Sequence, residues 1–332
     1  MDKTFIIAEL SANHNHRKEI ALESIKAAKE AGADAVKIQT YTADTLTIDC
    51  DNKYFQIKQG TLWDGTTFYK LYQQAYTPWE WHQELFDYAK TIGISLFSTP
   101  FDKTAVDFLE KLNNPIIKIA SFELVDISLI EYAASKGRPM IMSTGIATLQ
   151  EIQDAVDACR KVGNNDITLL KCTSSYPAPL NEANLLTIPD MAKRFNCKVG
   201  LSDHSTGNVA ACTAVVLGAQ VIEKHFIIDR SIGGPDAAFS MTKDEFEEMV
   251  KRIRETEECL GAVSYELSDK MKANRKFARS LFACADIAKG ELFTEHNIRS
   301  IRPGDGCSPK YLPQLLGNPS QRAYKRGEPI IL

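Results

Sequence analysis

Short apolar runs recur along this chain, and most are followed by a segment in which apolar positions return every three or four residues. The runs TFIIAEL, AVKIQTY, SLFSTP, IIKIAS, PMIMSTG, ITLLKCTS, KVGLSD and QVIEKHF read as strands. Between them, EIALESIKAAKEAG, PWEWHQELFDYAKTIG and TLQEIQDAVDACRKVG read as amphipathic helices. Gly32 and Gly93 follow the first two as stops, and Pro78 sits near the first turn of the second. Strands alternating with helices in this number predict an α/β fold, a (β/α)8 TIM barrel of about 250 residues, with an open doubly wound sheet as the alternative. The absence of a GxGxxG turn after the first strand weighs against a dinucleotide fold.

Two segments break the rhythm. Residues 42–77 are long for a strand-to-helix connection and carry Trp63, Phe68, Tyr69, Tyr72 and Tyr76, which fits either a substrate lid or aromatic packing of an insertion onto the barrel. From about 276 the pattern shifts to short strands with Gly and Pro turns, so a small β-rich domain is expected over 276–332. The barrel is expected over 1–262 and a linker over 263–275.

The stretch KVGLSDHSTGNVAACTAVVLGAQVIEKHFIID holds a complete βαβ unit. Its two strands should run parallel and bring their C-terminal ends, with His204 and His225, to one edge of the sheet. Side chains alternate along a strand, so Ser202 shares a face with His204, and Glu223 with His225. A lone histidine is more often a hydrogen-bonded structural residue than a ligand; the matched pair makes a shared metal ion a real alternative. Alternation also turns Lys37, Gln39 and Lys118 inward while Val36, Ile38, Ile117 and Ile119 face the helices. Thr99, Ser143 and Glu9 fall at the same level. Two inward lysines need an anion. Either Glu9 and Glu223 supply it, or a bound phosphate or carboxylate does, with the hydroxyls of Thr99, Ser143 and Ser202 as neutral donors.

Composition narrows the classes. A net charge of −4 without a basic run argues against nucleic acid or an anionic membrane surface, and 44% hydrophobic with 25% charged residues is ordinary for a globular protein. The opening MDKTFIIAELSANHNH has too short an apolar core for a signal peptide, and no run of eighteen apolar residues occurs, so the cytoplasm is the expected compartment. The eight cysteines lack CxxC spacing and read as buried hydrophobes without a chemical role.

AGADAVKIQT, FSTPFD, IKIAS, STG, CTSSYPAP, GLSDHS, EKHF and GPD, in this order and followed by KGELFTEHNIRSIRPG, resemble the sialic acid synthase family of nonulosonic acid synthases over essentially the whole chain. SANHN, GTLWDG and YTPWEWH resemble the branch that accepts a diacetamido-trideoxy sugar. The resemblance implies a TIM barrel followed by an antifreeze-like (SAF) domain, in a domain-swapped homodimer where one chain's small domain covers the other's barrel mouth. It implies a metal-dependent condensation of phosphoenolpyruvate with an acylated amino sugar. His204 and His225 are then ligands to a divalent ion, usually Mn2+, with Mg2+ or Co2+ as alternatives. Asp236 of GPD is implied to support a metal-bound water. Lys37, Thr99, Lys118, Ser121, Ser143, Ser202 and Glu223 correspond to substrate-binding positions, and Glu9, Gln39 and Glu123 to the reacting centre, with Glu123 the candidate for handling the attacking water's proton. Arg302 of RPG corresponds to an arginine that reaches the acyl sugar from the partner. Trp63, Tyr72 and Trp79 are expected against the sugar's acetamido methyls and deoxy carbon. A barrel aldolase or isomerase and a non-enzymatic saccharide-binding protein remain the competing classes.

Overall fold

The computed structural model describes residues 3–58 and 60–332. Each apolar run forms a strand and each amphipathic segment a helix. In chain order these are β1 (Phe5–Glu9), α1 (Lys18–Glu30), β2 (Ala35–Thr40), α2 (Ala43–Leu46), α3 (Phe68–Ala75), α4 (His82–Ile92), β3 (Ser95–Pro100), α5 (Lys103–Lys111), β4 (Ile117–Ile119), α6 (Ile127–Ala134), β5 (Met140–Ser143), α7 (Leu149–Lys161), β6 (Ile167–Cys172), α8 (Thr187–Phe195), β7 (Lys198–Asp203), α9 (Val209–Val216), β8 (Val221–His225) and α10 (Lys243–Leu260). The strands pair in sequence order, all parallel, and β8 closes on β1 with Phe5 opposite Val221 and Glu9 opposite His225. This is the (β/α)8 barrel.

Local chemistry starts and stops the helices. Thr148 and Thr242 form capping boxes with Glu151 and Glu245 at the heads of α7 and α10, and Asp102 accepts from the Thr104 and Ala105 amides at the head of α5. Gly93 ends α4 in the left-handed region at φ 73°.

Alternation builds two layers inside the barrel. Ile7, Ala35, Phe97, Ile141, Leu170 and Val221 form an apolar plug, while Val36, Ile38, Ile117, Ile119 and Leu201 face outward into the sheet–helix core. One step further along the same strands, the inward positions are Glu9, Lys37, Thr99, Ser143, Cys172, Ser202 and Glu223. Gly200 is the small member of the plug: a Cβ there would stand 2.3 Å from the Val221 carbonyl oxygen and 2.6 Å from a Leu170 methyl. The polar layer therefore rests on packed hydrocarbon and opens at the C-terminal ends of the strands.

The chain divides into two compact units, Met1–Gly261 and Ala262–Leu332. The second holds α11 (Asp269–Asn274), β9 (Ser280–Ala283), β10 (Ile298–Ile301) and α12 (Leu312–Leu315). Strands β9 and β10 pair antiparallel over a core of Leu281, Ile287, Phe293, Ile298, Tyr324 and Ile330. Helix α11 lies within the segment read as a linker. Among the described residues, no helix is long and apolar enough to cross a membrane.

Candidate active site

The polar layer is the floor of a cavity of about 570 Å³ at the barrel mouth. Every polar site residue named from the sequence lines it except Thr99, which is fully buried and accepts a hydrogen bond from Lys37 Nζ at 3.3 Å, and Arg302, which is exposed in the second unit.

Strand register assembles the floor. Glu9 stands between Lys37 on β2 and His225 on β8, and Ser202 stands opposite Glu223. Lys37 Nζ lies 2.9 Å from Glu9 and 3.6 Å from Glu223, and Lys118 Nζ lies 3.4 Å from Glu223. Ser202 donates to Glu223 at 3.0 Å. The lysines are thus partnered by the chain's own carboxylates, the plainer of the two sequence readings. The balance of these charges still favours an anion. Burial works against the Glu223 carboxylate, but Lys118 and Lys37 overcome it and bring the group to about 2. Burial wins at Glu9, whose carboxyl is raised despite Lys37. Burial pulls the Lys118 ammonium below its usual range while Glu223 opposes that pull, so the floor sets two lysines around one firmly ionised carboxylate. Ser143 Oγ is buried with no hydrogen-bond partner among the described residues, an unused donor in the same place.

The two imidazoles meet at the rim, with ring centroids 5.3 Å apart. His204 Nδ1 lies 3.0 Å from the Thr173 carbonyl oxygen, which takes the Nδ1 N–H and leaves Nε2 for another partner; burial opposes the charged ring, but Cys172 and this carbonyl raise the imidazole overall. His225 Nδ1 is buried without a partner among the described residues, and burial, with His204 and Lys37 nearby, holds this imidazole neutral. Among the described residues no three His, Cys, Asp or Glu side chains form a closed metal cage. Two imidazoles, one braced by a carbonyl and one with an unused nitrogen, fit an open site that substrate or water completes. Asp236 lies behind them and accepts from Ser11 Oγ at 2.5 Å; burial raises its carboxyl.

Glu123 sits in the 3-10 turn Ser121–Glu123 after β4, where burial pushes its carboxyl up to about 7. In the same turn, Ser121 Oγ accepts from the Gly145 amide at 3.1 Å. Gln39 donates to Glu9 and to Ser11 Oγ, both at 2.9 Å.

The structure corrects two expectations. Trp79 is not part of the cavity wall: it stacks on Phe108 at 4.7 Å and donates to the Tyr41 carbonyl, packing the insertion on α5. Tyr69 and Tyr76 likewise turn away, to Asp44 and to the His16 ring, whereas Trp63, Phe68 and Tyr72 line the cavity. Cys172, expected to be a plain hydrophobe, lies 3.7 Å from His204 Nδ1; burial alone would raise the thiol, but the imidazole brings it to about 7. Ser11, Tyr41 and Tyr176 also line the cavity and were not anticipated. Tyr176 packs its ring 4.4 Å from His204. The motifs AVKIQTY and CTSSYPAP held the signal for the two tyrosines, an aromatic residue just past a strand end.

A parallel eight-stranded barrel with two lysines, a paired imidazole set and an elevated carboxyl at its C-terminal mouth has the build of a barrel enzyme. Residues 24–265 match the NeuB family and residues 278–331 the SAF domain. The chain belongs to the NeuB family. It is 48% identical to the pseudaminic acid synthase of Helicobacter pylori, over 98% of this chain and 96% of that protein, and 48% identical to that of Campylobacter jejuni, over 99% and 95%. The crystal structure of the spore coat polysaccharide biosynthesis protein SpsE from Bacillus subtilis, 36% identical, aligns with a TM-score of 0.68 over 100% of this chain and 95% of that one.

Proposed function

We propose that this protein is a pseudaminic acid synthase, condensing phosphoenolpyruvate with 2,4-diacetamido-2,4,6-trideoxy-L-altrose to give pseudaminic acid and inorganic phosphate. The observation that carries the reading is the pair Lys37 and Lys118 around one ionised carboxylate, in the cavity that the two imidazoles also line. It offers a cationic berth for a small anion beside an open ligand pair. The 48% identical relatives support the choice of acceptor.

In this reaction C3 of phosphoenolpyruvate forms a bond to the aldehyde carbon of the open-chain sugar. Water adds at C2, and the C2–O bond to phosphorus breaks so that phosphate leaves with its bridging oxygen. Lys37 and Lys118 hold the anion as point charges, with the Ser143 hydroxyl and the hydroxyls of Thr99, Ser121 and Ser202 around them. Glu9, whose carboxyl burial raises, holds Lys37 Nζ at 2.9 Å on the same floor. Gln39 keeps Glu9 and Ser11 in place. Glu123, with its carboxyl near 7, is ionised in a large fraction at neutral pH and accepts the proton of the water that adds at C2. Asp236 and Tyr176 close the side of the cavity next to the histidines. A divalent ion held by His204 and His225, Mn2+ before Mg2+ or Co2+, would supply Lewis acidity toward the aldehyde oxygen.

In the same reading the protein works in the cytoplasm as a homodimer, residues 276–332 of one protomer serving the partner's barrel and Arg302 reaching the acyl sugar there. The test is phosphate release from phosphoenolpyruvate with a panel of acceptors. The highest kcat/KM is expected for the diacetamido-trideoxy-L-altrose. A preference for N-acetylmannosamine would make the enzyme a sialic acid synthase, and one for the D-manno diacetamido sugar a legionaminic acid synthase.

A further inference from the structure

One wall of the cavity carries chemistry that the reaction above leaves unused. Tyr41, the residue after β2, is 3% exposed, and its ring packs edge-on against Tyr72 at 5.8 Å and Phe101 at 5.0 Å. Tyr72 lies on α3 and stacks on Phe68 at 6.1 Å. Both rings line the cavity, together with Leu46 and Ile57 of the insertion. Neither phenol hydroxyl has a hydrogen-bond partner among the described residues. A buried phenol normally finds a partner, and these two stand over an open cavity instead. The same cavity is lined by Glu9, Glu123 and Asp236. In addition to burial, Asp236 and Glu9 raise the Tyr41 phenol, and Glu123 does the same at Tyr72. Burial raises both phenols, Tyr72 to about 12, so each remains a hydrogen donor at neutral pH.

Apolar walls with two donors fit a ligand group that has a methyl on one side and a carbonyl on the other. They do not fit a polyhydroxylated tail, whose hydroxyls would face Leu46, Ile57 and Phe68, nor an ammonium, which that hydrocarbon would desolvate. The acceptor assigned above carries an acetamido group next to its aldehyde and a second one two carbons further on. The first stays near the reacting carbon, beside the histidines and Tyr176. The second reaches outward to the insertion.

We propose that Tyr41 and Tyr72 form the subsite for this second acylamino group, their hydroxyls donating to its carbonyl oxygen while Leu46, Ile57 and Phe68 enclose its methyl. The subsite rests on the acceptor reading of the preceding section and makes the insertion the element that selects a diacylated sugar over a monoacylated one. A hydrogen bond formed in a closed, apolar compartment discriminates strongly against an analogue that leaves the protein donor unpaired.

The experiment compares two acceptors that differ only at C4, the 4-acetamido sugar and its 4-deoxy counterpart, with phosphoenolpyruvate saturating. The wild-type ratio of kcat/KM should favour the acetamido sugar. Tyr41→Phe and Tyr72→Phe keep the rings and remove only the hydroxyls; each should reduce that ratio roughly 10- to 100-fold, mainly through KM for the sugar. Thermal melts establish that both variants are folded. If the two sugars lose kcat/KM in equal proportion, or if the ratio stays at its wild-type value in both variants, the subsite is refuted while the synthase reading stands. If the wild type releases no phosphate with either sugar, the acceptor reading fails and the subsite fails with it.

Discussion

Replacing Glu123 by glutamine should give a protein that is more stable than wild type in mild alkali and nearly inactive. Oε2 of Glu123 is buried without a partner among the described residues. Burial raises the carboxyl from 4.5 to about 7 against the opposing pull of its backbone amide and Lys118. Between those two values the unfolded chain has released this proton while the native protein keeps it. The group's contribution to stability is therefore complete below 4.5, declines as pH rises through 7, and is flat above. The interval from 4.5 to about 7, at about 1.4 kcal/mol per tenfold change, corresponds to about 3 kcal/mol lost at pH 8.5 and less than about 1 kcal/mol at pH 5. Glu123→Gln cannot ionise and avoids the loss. Urea unfolding of both proteins, without ligands, should show the variant gaining on wild type by roughly 2–3 kcal/mol between pH 5 and pH 8.5. Its kcat should fall by about 10²- to 10⁴-fold, the usual range for removing a proton acceptor, and the wild-type rate should rise with pH through about 7. A stability gap that stays constant with pH, or narrows as pH rises, would refute the claim that burial holds this carboxyl protonated.

Three further outcomes follow from the same geometry. Excess chelator, His204→Ala and His225→Ala should each abolish activity while leaving the circular dichroism spectrum unchanged, and elemental analysis should show less bound metal in both variants; full turnover in chelator would exclude metal dependence. Lys118→Met breaks the 3.4 Å pair to Glu223 inside the barrel and should cost about 3–5 kcal/mol in urea unfolding, most of it recovered by adding Glu223→Gln. No recovery in the double variant would mean that the pair is not what the single substitution disrupts. Arg302→Ala should weaken sugar binding, and mixing it with inactive Lys118→Ala should restore some activity once subunit exchange is demonstrated, because a mixed dimer holds one site with both parts intact; a dead mixture would rule out shared sites.

The charged part of the floor was legible because strand alternation leaves little choice. In AVKIQTY, either Val36 and Ile38 or Lys37 and Gln39 face the helices, and only the first choice buries hydrocarbon in the sheet–helix core where those two residues are found. The same rule explains a charge to which the sequence pattern gave no role. Lys224 stands between Glu223 and His225, so alternation sends it to the opposite face. There its ammonium lies 2.6 Å from Asp203 and donates to the carbonyls of Ser205 at 2.5 Å and Gly207 at 3.1 Å. Outside the barrel, then, this ion pair holds the turn that follows β7. Inside, Glu223 holds the lysines. One strand of five residues serves both.

What the sequence did not disclose depends on distances between loops. Cys172 is in register with Ser202, so the alternation that placed Lys37 also places this thiol inward; treating all cysteines as one compositional class discarded that information. Alternation still falls short of its chemistry. The thiol is brought to about 7 because the His204 ring comes to 3.7 Å, and that ring is turned toward β6 by the carbonyl of Thr173, in the loop that follows β6. Tyr41 depends on contacts of the same kind, since α3, more than twenty residues on, brings the Tyr72 ring against its own. A strand period fixes which face a residue takes. The partner it meets across the cavity is set by loops whose paths carry no period, so the faces of the lysines, the floor carboxylates, both histidines and the thiol follow from the sequence, whereas the neighbours of Tyr41 and of the thiol follow only from the fold.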